Sequence, residues 1–422
     1  MCPIFFKKNK VESSKPNPYE RVLIARHAIL NSTLNIWGHF TTFNSRELPD
    51  ESNFSGTISA LFDVIGPEGS LLTVSDGQRI VIPYDGSPDQ FTLPAEHDSH
   101  PMILLPGDLS EEPLLHAAQS LKTNGFPVAV AGIDMNTRLS AVHELAEVLV
   151  INFQNFPPGD IEPLKTKLSG QSARRMGFNI HTQERFEQAK ELGCTLFHGY
   201  FFCRPEHLEG KKLKSSELTR LRLFEALEKD TPDFEHLAQT IGADAAISYR
   251  LLNFLNSAKF SFPQQITNIK QAVILAGWQN IRTWIRMIIL TDLLPPAKSK
   301  ALIQLAAQRA KLLEIIASSS SHSNLTDSLS LLGLFSLLEG FLDMSFKQLL
   351  PPLPISDTIK DALIDQSGPL APWLELIECI ENSQWEKLGE LSYALKIPEG
   401  AIAKAYRSSC QWADAFFESV RA

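Results

Sequence analysis

GCTLFHGYFFCRP, Gly193 to Pro205, places five rings, His198 included, within six residues and then stops at Arg-Pro. An apolar run bounded by Gly and Pro, rich in Phe and Tyr and too short for a typical helix, predicts a buried strand whose end projects rings into a cavity or an interface. Taken alone, these rings are more simply read as core packing, because buried aromatics mostly serve cores. Upstream, from Arg21 to Phe202, short β-rich runs alternate with helical stretches: VLIARHAI, LNIWGHFTTF, SLLTVS, MILLPG, VAVAGI, VLVINF, FNIH and TLFHGYFF. Periodic segments such as Ser110 to Asn124 and Asp160 to Met176 lie between them. Strands that alternate with helices pair in parallel, and about eight such units predict a β/α barrel rather than an open sheet.

The chain of 422 residues is too long for one ordinary core, so two domains are expected. A hydrophobic fraction of 44% and a charged fraction of 21% are those of a globular protein, and a net charge of -9 opposes a nucleic-acid polymer as partner. The five cysteines, Cys2, Cys194, Cys203, Cys379 and Cys410, form no C-x-x-C pair, which suggests neither a zinc site nor a disulfide framework and suits a reducing cytoplasm. In MCPIFFKKNKVESSKPNPYE the apolar stretch is too short for a signal peptide and its charges follow rather than precede it. No later run is long and apolar enough to span a bilayer. The expectation is a cytoplasmic protein with no membrane contact and a disordered tail at 1–18.

The style changes near residue 205. After the charged linker EHLEGKKLKSSE the segments SELTRLRLFEALEK, DAAISYRLLNFLNS and KALIQLAAQRAKLLEIIA carry apolar residues at three- and four-residue spacing, which predicts helices. The fold class is therefore α/β plus all-α: a barrel over 19–206, a linker over 207–216 and a helical bundle over 217–422. SSSSHSN, from Ser318, is predicted to be an exposed loop between helices. The apolar stripes RTWIRM and LGLFSLLEGFLDM are expected in the bundle core; a stripe left exposed would form a groove for a partner helix.

Within the helical half, LLNFLNSAKFSFPQQITNIKQAVILAGWQNIRTWI, Leu251 to Ile285, reads as a helix ending in Asn-Ser, a loop around Pro263, and a second helix capped by Asn268 and ended by Gly277. Trp278 opens a third helix. This passage resembles the HDOD domain, with Leu252, Asn256, Ser257, Ala258, Phe260, Pro263, Ile266, Ile269, Ala272, Val273 and Gly277 at the signature places and Ala276 departing from the usual Leu. HDOD domains are related in fold to HD-type phosphohydrolases, whose adjacent His-Asp pair ligates metal. In this chain Ser336 and Leu337 fall at that pair, and neither is a competent replacement: Leu has no donor atom and a neutral hydroxyl is a weak ligand beside imidazole or carboxylate.

GCTLFHGYFFCRP in turn is similar to the last strand of an EAL domain, a β/α barrel whose active members hydrolyse cyclic di-GMP. The order EAL then HDOD is that of the YuxH-like two-domain signalling proteins. The resemblance implies a metal-assisted site in which carboxylates at the strand ends hold two cations. At the implied positions the Glu-Ala-Leu motif falls on Phe40, Thr41 and Thr42, and the following arginine on Asn44. The Asp-Asp pair falls on Ala131 and Gly132, with Asp134 near but off register, and the Lys and Asp of the next strand fall on Val150 and Asn152. The later Glu-x-x-Glu places are Phe178 and His181, and the Gln before Gly-Tyr is His198. The expectation is a degenerate barrel with no metal, no cofactor and no enzyme activity. His27, His39, His181 and His198 are expected near the mouth as hydrogen-bonding groups rather than as a metal site. The leading functional expectation is a non-catalytic signalling adaptor acting on a protein partner of unstated identity, with a homodimer left open. The alternative is a cyclic di-GMP receptor that binds without hydrolysis, for which Arg26 and Arg204 are the candidate phosphate contacts.

Overall fold

The computed structural model describes residues 22–44, 79–84, 101–107, 110–205, 277–293 and 300–421 except 352 and 354, with single positions at 251, 254, 255, 266, 271 and 275. The tail at 1–18, the linker at 207–216 and the run SLLTVS lie outside the described residues, as do Asn256, Ser257, Phe260, Pro263 and Asn268 of the HDOD signature.

Strands β1 (Ile24–Asn31), β2 (Ile36–Phe43), β3 (Arg79–Pro83), β4 (Met102–Leu105), β5 (Val128–Val130), β6 (Val148–Asn152), β7 (Arg174–Phe178) and β8 (Leu196–His198) close in sequence order into a barrel. Strand β1 runs antiparallel to both of its neighbours, and all other pairs are parallel. Parallel neighbours need crossovers, and helices α1 (Glu111–Thr123), α2 (Ala141–Leu145), α3 (Ile161–Lys167) and α4 (Gln183–Glu191) supply them between β4 and β8. Period-two alternation sends Ile29, Phe40, Val81, Met102, Leu104, Ala129, Val148, Val150, Met176 and Leu196 into one enclosed cluster, the barrel interior.

The barrel predicted from the alternation of runs is present, and three details differ. Strand β3 is RIVIP, which carried no expectation. Strand β7 lies at Arg174–Phe178 rather than at FNIH, and α3 stops at Lys167 instead of running to Met176. The arginines disguise β7: Arg175 turns outward and donates to the carbonyls of Leu168 and Leu192, both at 2.8 Å, capping the ends of α3 and α4. Lastly, β8 contains only Leu196, Phe197 and His198.

The helical half comprises α5 (Trp278–Leu293), α6 (Lys300–Ser318), α7 (Thr326–Phe335), α8 (Leu338–Leu342), α9 (Phe346–Leu349), α10 (Asp357–Ile364), α11 (Ala371–Glu381), α12 (Trp385–Ala394) and α13 (Glu399–Arg421). Gly277, with φ of +80°, precedes α5, and Trp278 opens that helix as expected. Helix α6 is the central element, buried on nearly every face. Its polar residues are buried because they are paired: Lys311 donates to Asn280 at 2.7 Å and to Glu314 at 2.5 Å, and Thr283 donates to Glu314 at 2.9 Å. Trp284, in the RTWIRM stripe, is fully buried, and the serine-rich insert from Ser318 is a largely exposed connection to α7. Among the described residues no helix is long and apolar enough to cross a membrane.

Candidate functional site at the barrel mouth

In a β/α barrel the carboxyl ends of the parallel strands form the working face. Here β8 pairs with β1 only over Ile29 to Asn31, because Gly199 turns the chain away immediately after His198. Gly199 has φ of +132°, and a Cβ there would lie 2.1 Å from the carbonyl oxygen of Ile180, so no other residue makes this turn. Tyr200 then leads into a single 3-10 turn, Phe201–Cys203. The upper half of β1, from Ile24 to Ala28, is left without β8 beside it.

The helical half fills that gap. Tyr406 of α13 accepts a hydrogen bond from the Arg26 backbone N–H at 3.0 Å, in the place a neighbouring strand would take. The Arg26 side chain points out of the barrel to Asp414 and makes a bidentate ion pair, Nη1 to Oδ2 at 2.9 Å and Nη2 to Oδ1 at 2.6 Å. Gln304 of α6 donates to the same carboxylate at 2.6 Å. Burial opposes the Arg26 charge, but the Asp414 carboxylate outweighs it and holds the guanidinium pKa above its ordinary value. At the rim, Thr42 and Ser383 share a hydrogen bond of 2.7 Å and Asn44 donates to Glu399 at 3.1 Å. The 3-10 turn lies against α8, where a Cβ added to Gly340 would come within 2.5 Å of the Cys203 carbonyl oxygen.

Inside the mouth the rings pack on one another. Phe178 stacks on His198 with centroids 4.0 Å apart, and Phe40 meets Phe178 edge-on at 5.1 Å and His198 at 5.4 Å. His27 bridges Thr42 at 3.0 Å and Tyr200 at 3.1 Å, so a hydrogen-bonded chain runs from Ser383 through Thr42 and His27 to Tyr200. Burial lowers the His27 pKa to about 4. The pKa values of His39 and His198 also lie well below the usual histidine range, first because of burial and, for His39, also because the Arg26 guanidinium is near, so all three imidazoles are neutral at pH 7. The expected clustering of four histidines is corrected in one respect: His39, adjacent to Phe40 on β2, faces away from the interior. His181 is half-buried, with its ring centroid 6.4 Å from that of Tyr200.

The remaining positions singled out from the sequence are occupied as follows. Thr41 is buried on the outer side of β2 and donates to the Val81 carbonyl at 3.3 Å. Val150 belongs to the interior cluster. Asn152 is exposed and accepts from the Gln154 N–H at 3.0 Å. Gly132 adopts φ of +75° with the backbone of Gly107 3.1 Å from where its Cβ would be, so a carboxylate at this place would be strained. Asp134 is spent in its own turn, accepting from the backbone N–H groups of Asn136 and Thr137, each at 2.8 Å. At the HD-pair place, Ser336 accepts from Arg309 at 2.8 Å, and Arg309 forks onto Glu381 at 2.7 and 2.5 Å. A fixed guanidinium beside Ser336 opposes a divalent cation there. Among the described residues no group of three or more His, Cys, Asp or Glu is placed to hold a metal ion, and the residues at the mouth do not fit a divalent pair. Residues 45–78 and 85–100, which include Asp50, Glu51, Asp63 and Asp85, lie outside the described residues.

Of the two arginines proposed for phosphate, Arg26 is engaged by Asp414, and Arg204 is exposed just beyond the 3-10 turn. The partners at the seam, Ser383, Glu399, Tyr406 and Asp414, carried no expectation. They stand more than 340 residues from the β1 and β2 groups they meet, and no local spacing signals such a pairing.

An eight-stranded barrel followed by a helical module is thus the class of architecture, and the HDOD domain family model matches residues 215–341, so the chain carries an HDOD domain in its C-terminal region. The cyclic di-GMP phosphodiesterase CdgJ of Vibrio cholerae serotype O1 is 29% identical over 253 residues, which are 59% of this chain and 58% of that protein. The uncharacterized protein YuxH of Bacillus subtilis is 30% identical over 235 residues, 55% of this chain and 57% of its own. The chain thus spans less than two thirds of the length of either relative. Among solved structures, the Bacillus subtilis YkuI protein with an EAL domain, in complex with cyclic di-GMP and calcium, aligns over 53% of this chain and 72% of its own at 12% identity and a TM-score of 0.33. A standalone EAL protein from Vibrio cholerae O395 aligns over 43% of this chain and 90% of its own at 13% identity and a TM-score of 0.33.

The expectation that the chain is not an enzyme is overturned, because the relative CdgJ, matched over more than half of this chain, is named a phosphodiesterase. That expectation rested on motif register alone, which says what stands at a ligand's place and leaves other donors uncounted.

Proposed function

We propose that this protein is a signal-transduction component of cyclic di-GMP circuits that passes its signal on by protein-protein contact, with barrel and helical domain acting as one docked unit. The observation that carries this reading is the seam: the buried Arg26–Asp414 pair, the Tyr406 bond to the β1 backbone and the rim bonds Thr42–Ser383 and Asn44–Glu399 tie the barrel's working face to α11 through α13. Any change in the mouth is therefore felt by the helices. The relation to cyclic di-GMP is supported by the name of the relative CdgJ. A receptor for the nucleotide is the second reading. It retains the exposed Arg204 as a phosphate contact, and Arg26 would have to leave Asp414 to serve it.

The test uses purified full-length protein. It is titrated calorimetrically with cyclic di-GMP in magnesium or calcium, assayed for turnover, and used to retain proteins from a bacterial extract with and without the nucleotide. A defined set of retained proteins, altered when Asp414→Ala opens the seam, is the expected result. Retention identical for wild type, variant and blank resin would sink the reading. Saturable heat would promote the receptor, and turnover would bring to this chain the activity in the relative's name.

A further inference from the structure

The turn between α12 and α13 lies beyond residue 341, outside the part of the chain that the HDOD family matches. Helix α12 ends in paired backbone bonds, Ile397 N–H to the Ser392 carbonyl at 2.9 Å and Lys396 N–H to the Tyr393 carbonyl at 3.1 Å, with Lys396 in the left-handed region at φ of +55°. This is the six-to-one and five-to-two pattern of a Schellman ending, and buried Ile397 anchors it to the core. The rigid turn leaves a groove of about 1380 Å³ between the end of α12 and the first turns of α13. Tyr393 stands on its wall 89% exposed, the one large apolar side chain so exposed among the described residues. Lys396, Lys404 and Arg407 line it as well, the last two three residues apart on one face of α13.

We propose that this groove docks an acidic segment of a partner protein. The inference rests on the protein-contact reading above and gives that contact a place and a chemistry. Charge complementarity selects the occupant. The chain carries a net charge of -9, yet this groove presents the exposed Lys396 and Lys404, with a half-buried Arg407 at its wall, against a single acid, Glu399, which accepts the hydrogen bond from Asn44. Among the described residues neither the Lys396 nor the Lys404 ammonium is held in an ion pair. A local positive field steers acidic partners to the groove and disfavours a symmetric contact in which two such grooves face each other. The groove is larger than the roughly 300 to 1,000 Å³ usual for small-molecule pockets, which suits an extended segment of a protein. Tyr and Arg are also the residue types that anchor protein interfaces.

The experiment is fluorescence anisotropy of full-length protein with a fluorescein-labelled peptide in which Glu and Asp alternate with Leu and Phe. The control is the same peptide with Lys at every acidic place. Saturable binding of the acidic peptide alone is expected. It should weaken by about tenfold or more in Lys396→Glu/Lys404→Glu and in Tyr393→Ala, and fall as salt is raised. All three positions are exposed, so thermal unfolding should be unchanged. Absence of binding, equal binding of the basic peptide, or indifference to the charge reversal overturns the proposal. So does displacement by cyclic di-GMP, which would assign the groove to a nucleotide, or self-association lost in the double variant, which would assign it to a second copy. If the charge-reversed protein still retains the wild-type set of proteins from extract, the groove fails and the protein-contact reading survives; if wild type retains none, that reading fails.

Discussion

At the scale of single residues, the mouth is governed by the neutrality of its histidines. His27 in the folded chain takes a proton only near pH 4, whereas an unfolded histidine takes one near 6.5. Below pH 6.5 the unfolded state therefore binds more protons than the folded state, so the contribution to stability is full above 6.5 and is lost as pH falls toward 4. His39 and His198, displaced the same way by burial, steepen the loss. Denaturant midpoints are expected to drop between pH 7 and pH 5, with His27 alone contributing a slope of roughly 1 kcal/mol per pH unit. His27→Gln, which keeps a hydrogen-bonding side chain and removes the titration, should give a shallower slope; an unchanged slope would place the proton uptake elsewhere. Arg26 obeys the opposite logic, since its charge is kept in burial by Asp414. Removing one partner strands the other, so Asp414→Ala is expected to cost about 3–5 kcal/mol, while replacing both with apolar residues of similar volume should recover most of the loss in the same denaturation experiment.

At the scale of elements, the short β8 is the organising fact. Gly199 turns the chain out of the sheet, and α13 then does for the upper half of β1 what a strand would have done. Tyr406→Phe deletes the acceptor for the Arg26 N–H and leaves a buried donor unsatisfied, at an expected cost of about 1–3 kcal/mol in chemical denaturation. The contact of the 3-10 turn with α8 depends on the missing side chain at Gly340. Gly340→Ala would drive a methyl into the Cys203 carbonyl, for an expected loss of about 1–3 kcal/mol. A variant as stable as the parent in a thermal melt would show that the two elements can slide apart without penalty.

At the scale of the molecule, barrel and helical domain share buried charge and buried backbone bonds, so they should unfold together. A single calorimetric transition is expected for the parent and two resolved transitions for Asp414→Ala; a parent that already melts in two steps would contradict the docked unit. Much of this organisation was legible in the residues. Alternating β-rich runs and helical periodicity announced a barrel before residue 205 and a bundle after it, because period two and period three to four are local consequences of backbone geometry. Gly277 and Trp278 likewise marked the start of α5 in advance. Strand β7 escapes the sequence reading because Arg175 serves two helix ends from outside the barrel and Arg174 lies over the Trp37 ring, roles that hydrophobic patterning does not encode. Of the rings of Gly193 to Pro205, Phe197, Phe201 and Phe202 join the core, as the plain packing reading has it, while His198 stacks among the rings of the mouth and Cys203 beyond them lies against α8. Sequence by itself determined the two halves and their order, since each depends on contacts between residues near in the chain. Only the tertiary structure decided that Arg26 belongs to Asp414, Thr42 to Ser383 and the upper edge of β1 to Tyr406. Those pairings join groups more than 340 residues apart, and only the packing of one half on the other brings them within hydrogen-bonding distance.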